Sequence, residues 1–373
     1  MELVVMALIV AAVLVAQYFL YSRLGLKNLS YTLTISTPEA FEGDEIEIVE
    51  EIENAKLLPL PWIRTEINCS RWLTFRGQTH TPDSGDDQRG LISGIFVLKG
   101  HQKCRRAWRV RCEKRGVFTV EDTSVAVSDI FGLVKPAAVF RIRESVRVLP
   151  RPSEAELSEL SSDAFIGDMQ VRRFVLPDPF MISGAKEYSG REPMNRIHWA
   201  QTARTGSLMV YSNEFTTERR FLIIMNMQRS FLSDVQSLAL SVLEGQIKAA
   251  AFMLDYCCKT RAEAALAVNS ENEVFLPYAE GYEQTMSALR ELAELKNECG
   301  CHIDDYFEKL NFSECTDIVF ISGFLSEKTA EALHRLSESG KNCLVISTEI
   351  SETEFDGVIN VPRRYYSGGG GEE

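Results

Sequence analysis

The sequence lacks both glycine-rich phosphate-binding patterns, GxGxxG and GxxxxGK[ST], so nucleotide binding by this chain has no motif to support it. It lacks a basic excess. Forty Lys and Arg stand against 53 Asp and Glu, a formal net charge of -13. Phosphate backbones need a basic footprint, so the balance argues against nucleic acid as the main partner. It also lacks a disulfide framework. The nine cysteines (Cys69, Cys104, Cys112, Cys257, Cys258, Cys299, Cys301, Cys315 and Cys343) are odd in number and irregular in spacing. They read as reduced, mostly buried thiols, which favours a cytoplasmic body. No Lys or Arg precedes the first apolar run, as a secretory signal peptide would require.

That run, Leu3 to Leu20, carries no charge and one polar residue, Gln17. About 20 apolar residues at a rise of about 1.5 Å each span a hydrocarbon core. Tyr18, Phe19 and Tyr21 stand where an aromatic belt belongs. The segment reads as a retained single-pass anchor in the cell membrane, residues 1–22. Arg23 and Lys27 follow it, and the positive-inside rule then puts the body in the cytoplasm.

The rest of the chain, 45% hydrophobic and 25% charged over its full length, has the composition of folded protein. With 373 residues it is too long for one ordinary core, which implies two domains behind the anchor. Residues 30–150 alternate with period two in short runs broken by turn signals, and no convincing helix intervenes. This predicts an all-β antiparallel sandwich of the immunoglobulin-like kind. Within it, Lys103, Arg105, Arg106, Arg109, Arg111, Lys114 and Arg115 form a basic cluster. It reads first as the solvent face of charged strands, with contact to anionic lipid or an acidic partner as the competing reading.

Residues 150–168 are polar and read as a linker. The polar stretch Gly184–Leu208 reads as a long specialised loop. Beyond it strands and helices alternate. "RFLIIMNM", "AEAALAV", "TDIVFIS" and "NCLVIS" read as strands, with helices over 231–259, 282–297 and 327–339. That layout predicts a doubly wound α/β domain within residues 166–365, followed by a flexible tail, 366–373.

Tyr188, Gly190, Glu192, Arg196, Ile197, Trp199, Ala203, Arg204, Gly206 and Leu208 follow a pattern that resembles the domain-of-unknown-function family numbered 58. Its members carry a von Willebrand factor A-like domain. The upstream "SDIFGL", the anchor and the β domain match the family's usual layout. The turn near Gly190 and the residues Lys186 and Asn195 depart from the pattern. The resemblance implies a von Willebrand factor A-like fold for the α/β domain and a MoxR-type AAA+ ATPase as partner. It also implies a role in maturing protein complexes, with no enzymatic activity. Tyr188, Gly190, Glu192, Arg196, Trp199 and Arg204 then become the motif and partner-binding residues, and Trp199 is expected to be a buried anchor. Arg196 and Arg204 suit a partner carboxylate or an internal pairing with Glu187 or Glu192.

Von Willebrand factor A domains can hold Mg²⁺ in an Asp-x-Ser-x-Ser loop after the first strand. The matching positions here are Asn226, Gln228 and Ser230, and Gly323 stands where a further aspartate is usual. Without those carboxylates the site is degenerate, and no metal is expected. A hydrogen-bonded polar loop capping the sheet is the preferred reading. Cys299-Gly300-Cys301-His302 lacks the second ligand pair of a zinc site. No cofactor is implied. His198 reads as structural. The alternative function is a membrane-bound hydrolase using His198 as a base with a nearby carboxylate.

Overall fold

A computed structural model describes residues 2–83, 86–152, 182–188, 197–213, 219–229, 240–347 and 358–360. The chain divides into two compact units, Met1–Arg151 with Leu289–Leu295, and Pro152–Ala288 with Lys296–Glu373. Most of the linker and all of the tail expected from the sequence lie outside the described residues.

The first unit begins with helix α1 (Glu2–Leu24), whose segment Leu3–Leu24 has a mean hydropathy of 2.7 and is long and apolar enough to cross a membrane. Ten strands follow: β1 (Leu29–Ile35), β2 (Glu39–Phe41), β3 (Glu45–Asn54), β4 (Leu60–Ser70), β5 (Leu73–Phe75), β6 (Thr81–Asp83), β7 (Asp86–Leu98), β8 (Gln102–Cys112), β9 (Gly116–Ser128) and β10 (Ala137–Leu149). They form a four-stranded sheet, β1-β3-β8-β5, and a six-stranded sheet, β2-β10-β9-β4-β7-β6. The period-two alternation puts Ile63, Thr65, Ile67 and Cys69 of β4 on the inner face. Ile48 and Ile52 of the smaller sheet share one buried core with Ile63 and Ile67 of the larger.

One pairing departs from the antiparallel expectation. The chain leaves β1 at Ser36 and crosses to the other sheet, where β2 runs parallel to the end of β10. Inside the core, buried Glu50 accepts hydrogen bonds from Tyr31 Oη and Trp108 Nε1, each at 3.0 Å.

Four residues of the basic cluster, Lys103, Arg105, Arg109 and Arg111, share an exposed strand face, whereas Arg115 is buried and donates to Leu292 O at 2.8 Å. In the β3–β8 ladder Glu45 faces Arg111, Glu47 faces Arg109, Glu51 faces Arg105 and Glu53 faces Lys103. Lys103 Nζ lies 2.7 Å from a Glu51 oxygen, and Arg105 Nε lies 3.7 Å from the other. An acidic strand beside a basic one favours this register over a slip.

The second unit opens with β11 (Ile182–Glu187), helix α2 (Trp199–Thr205) and β12 (Met209–Asn213), with β11 and β12 paired antiparallel. The remainder runs β13 (Arg220–Met225), α3 (Leu240–Thr260), β14 (Glu263–Val268), β15 (Val274–Ala279), α4 (Tyr282–Glu294, of which residues 289–294 belong to the first unit), α5 (Ile303–Lys309), β16 (Asp317–Ser322), α6 (Glu327–Glu338), β17 (Asn342–Ser347) and β18 (Val358–Asn360). The sheet order is β15-β14-β13-β16-β17-β18, parallel except at β15.

The four apolar runs are buried along most of their length, as parallel strands covered on both faces should be. Leu222, Ile224, Phe320 and Val345 form one core with Ile303 and Phe307 of α5 and Leu333 of α6. Phe221, on the alternate face, meets Tyr256 of α3 edge-on, with ring centroids 6.1 Å apart. The stretch Gly184–Leu208 corrects the loop reading: it carries β11 and α2. Helix α2 ends at Gly206, whose positive φ of 75° lets its N–H reach Thr202 O.

Candidate functional site

Strands β13 and β14 are each followed at once by an asparagine, Asn226 and Asn269, and β16 ends in Ser322. The parallel register brings these ends side by side. Asn226 Nδ2 donates to Ser322 Oγ at 2.9 Å. Its Oδ1 accepts from the Gln228 N–H at 3.0 Å and from Asn269 Nδ2 at 3.1 Å. Asn269 Oδ1 accepts the Met227 N–H at 2.6 Å, and its Nδ2 also reaches Cys301 O at 3.1 Å.

Gln228 carries the network on to α5. Its Oε1 accepts the Ile303 N–H at 3.1 Å, so it caps a helix whose own N-cap, His302, makes no side-chain cap bond. The Gln228 amide nitrogen lies 3.0 Å from His302 Nδ1. An amide NH₂ only donates, so the ring nitrogen accepts.

Asn226, Gln228, Asn269 and Ser322 are all buried. Two of the positions from the metal-site comparison, Asn226 and Gln228, therefore carry neutral side chains already bonded within the fold. Gly323 is also buried, and Ser230 lies outside the described residues. Among the described residues no group of three or more His, Cys, Asp or Glu is placed to hold a metal.

The Cys-Gly-Cys segment is packed against this network. Cys299 bridges to Ser270, and the Gly300 N–H donates to Asn269 O at 3.0 Å. A Cβ on Gly300 would stand 2.3 Å from Ser270 O, which only glycine avoids. Burial pushes the Cys299 thiol up to about 11 and raises that of Cys301, opposite to what a reactive or metal-binding thiolate needs.

The second cluster is the β11–α2–β12 segment. The half-buried Tyr188 joins its N–H to Leu208 O at 2.8 Å, and the His198 N–H donates to Met209 O at 2.7 Å. His198 is the N-cap of α2, with Nδ1 accepting the Gln201 N–H at 3.2 Å. The ring's near nitrogen is thus engaged in capping.

Trp199 overturns an expectation. It is 68% exposed, and α2 buries none of its residues. A helix this short, fastened through its cap and through Thr202 to Met209, needs no core-facing indole. Arg204 is exposed on the same helix. Gly190, Glu192 and Arg196 lie outside the described residues.

Sequence reasoning singled out Asn226 and Gln228 but missed Asn269 and Ser322, and considered His302 only as a zinc ligand. The available signal was positional. Each apolar run that becomes a central parallel strand is closed by a small polar side chain.

The model of a family described as "Protein of unknown function DUF58" matches residues 185–358, a stretch that takes in both clusters. The matched stretch is less than half of the chain. No curated protein matches the chain. Solved structures match about a third of it. One is a non-cellulosomal cohesin from Archaeoglobus fulgidus, 15% identical, covering 35% of this chain and 96% of that one, with a TM-score of 0.21. Another is a cohesin module from a Clostridium perfringens family 33 glycoside hydrolase, 9% identical, covering 33% and 98%, with a TM-score of 0.24. Spo0M, a sporulation control protein from Bacillus subtilis, is 10% identical and covers 38% and 56%, with a TM-score of 0.21.

Proposed function

We propose that this chain is a membrane-anchored interaction module, without enzymatic activity, whose second unit presents the β11–α2–β12 segment to a protein partner. The observation that carries this reading is the exposure of Trp199 on α2, inside the family-matched stretch and alongside exposed Arg204. Tryptophan and arginine are the side chains most enriched at binding hot spots, because each brings a large contact area and directional bonding. A bare surface indole has no role in the core, so docking accounts for it better than packing does.

The partner in this reading is a MoxR-type AAA+ ATPase, and the process is maturation of protein complexes. Both follow from the family resemblance. The α/β unit is von Willebrand factor A-like in this proposal, with the metal position replaced by the amide network of Asn226, Gln228 and Asn269. Docking at its strand ends then needs no divalent cation. The first unit is an immunoglobulin-like sandwich next to the anchor in this proposal. The nine cysteines are all free, and burial raises the pKa of Cys69, Cys112, Cys257 and Cys343. That accords with a body on the cytoplasmic side, as do Arg23 and Lys27 behind the helix. The test is affinity capture from native membranes with ATP and with ADP. Nucleotide-dependent recovery of an AAA+ ATPase supports the proposal, and recovery of the chain alone under both conditions refutes it.

A further inference from the structure

The register of the first unit gathers several chain reversals at one end. Asn54 ends β3 opposite Leu29, the start of β1, and opposite Gln102, the start of β8. Leu60 begins β4 opposite Leu98, the end of β7. Ser128 ends β9 opposite Trp62 of β4, and β10 starts beside it at Ala137. The turns 55–59, 99–101 and 129–136 therefore share the end of the unit at which the chain arrives from α1.

Helix α1 is fastened to two of those turns. Tyr21 Oη donates to Pro59 O at 3.0 Å, and Gln17 Nε2 donates to Asp129 Oδ2 at 2.9 Å. Gln17 is the one polar residue of the apolar run. It lies one turn, about 6 Å, closer to the helix's apolar middle than Tyr21. The loop that begins at Asp129 thus stands level with residues of the apolar run, below the aromatic belt.

The loop is built to present apolar side chains there. Asp129 is buried and its other oxygen accepts the Val134 N–H at 3.0 Å. The Gly132 N–H returns to Asp129 O at 3.2 Å, and Gly132 adopts a φ of 73°. That turn puts Ile130 and Phe131 at its two corners. Phe131 is 62% exposed, Ile130 and Leu133 are similarly bare, and Leu57 in the neighbouring turn is 82% exposed. Around them Lys99, His101 and Lys135 are exposed, as are Arg23 and Lys27 at the helix end. The only carboxylate in the three turns is Asp129, which is engaged with Gln17. A chain of net charge -13 thus turns an apolar and basic end toward its own anchor.

We infer that this end of the first unit is a membrane-contacting face. The tip Ile130–Phe131, with Leu133 and Leu57, enters the interfacial zone of the bilayer that α1 crosses, and Lys99 and Lys135 meet anionic head groups. The inference rests on the anchor reading of α1. Bare apolar side chains at that depth exchange water for acyl chain, which is favourable, and the lysines remain in the head-group layer.

The test uses the full-length chain in vesicles of phosphatidylcholine and phosphatidylglycerol, with and without bromine on the acyl chains. Phe131→Trp adds an indole at the loop tip. Arg71→Trp adds one at the far end of β4, about 33 Å along the strand. Relative to wild type, the emission added by Phe131→Trp should be shifted to the blue and mostly lost in brominated vesicles, while that added by Arg71→Trp should persist. Equal persistence of both increments, in chains that float with the vesicles, overturns the membrane face and leaves the anchor standing. Failure of the chain to float with the vesicles overturns both. Loss of quenching together with crosslinking of two copies through the 130–133 loop assigns the apolar tip to a second copy, and likewise overturns the inference.

Discussion

Asn226 and Asn269 join side chain to side chain at 3.1 Å across the ends of neighbouring parallel strands. This bond is the centre of a buried amide network at the carboxyl ends of central strands of the sheet. The network ties the strand ends together side chain to side chain. Each buried polar group there is bonded to a neutral partner, so the usual penalty for burying such groups is avoided.

Asn226→Ala should therefore destabilise the second unit. It strands the Gln228 N–H in a buried site, at a cost of about 1–3 kcal/mol, while Asn269 Nδ2 and Ser322 Oγ each lose one bond but keep Cys301 O and Phe324 as partners. Urea denaturation monitored by far-UV circular dichroism checks this. A midpoint unchanged from wild type would mean the network contributes nothing to stability.

Asn226→Asp should destabilise as well, since it places a charge in a buried site among neutral partners. Millimolar Mg²⁺ should not restore the lost stability, because Gly323 supplies no second carboxylate. Thermal unfolding with Mg²⁺ and with a chelator reads the difference, and a metal-dependent rise in Tm would show that a cation site is only one substitution away.

Gly300→Ala forces a Cβ to within 2.3 Å of Ser270 O, and that contact is backbone rather than a side chain that can turn aside. A cost of about 1–3 kcal/mol follows from overpacking of this kind. Hydrogen exchange should show the loss of protection concentrated at residues 269–272 and 298–303. Uniform protection across these segments would contradict the close packing described.

In the first unit, Glu50→Ala removes the acceptor for both Tyr31 Oη and Trp108 Nε1. It should cost more than Glu50→Gln, which keeps one amide oxygen for one of the two donors. Equal destabilisation by the two variants would indicate that packing, and not hydrogen bonding, is what Glu50 contributes.

The buried thiols set an alkaline limit. Burial pushes Cys69 and Cys343 up to about 12 and Cys112 up to about 11, from an ordinary value of 9.0. A group whose folded pKa is raised gives stability that is complete below its unfolded pKa. That stability is lost as pH climbs toward the folded value, because only the unfolded thiol ionises in between. Stability should thus fall between about pH 9 and pH 12. Native alkylation at neutral pH should be slow at these three positions and rapid after denaturation. Fast labelling of native Cys69 would show that the core opens.

Much of the fold was legible because its strands announce themselves. "RFLIIM" and "DIVFIS" are short and apolar over residues 221–225 and 318–321, with β-branched residues in each, and both became central parallel strands. Strand β15 escaped notice because Pro277 interrupts it and its side chains are half exposed at the sheet's edge. Helix α5 escaped because Ile303–Lys309 is too short to show a period. The candidate site was half legible. Asn226 and Gln228 stand out by comparison with a metal loop, whereas Asn269 joins them only through strand pairing across more than forty residues of chain. Trp199 was misjudged because size alone reads as core. Its exposure depends on α2 being held by caps and by β12, which no local pattern reveals.

The interaction reading is tested most directly by comparing wild type, Trp199→Ala and Arg204→Ala as bait in ATP-loaded membrane extracts. Both substitutions lie on an exposed helix face and should shift stability by less than about 0.5 kcal/mol. The account predicts that wild type recovers an AAA+ ATPase and that Trp199→Ala loses most of it while still melting like wild type. Undiminished capture by a folded Trp199→Ala chain would contradict the role given to α2.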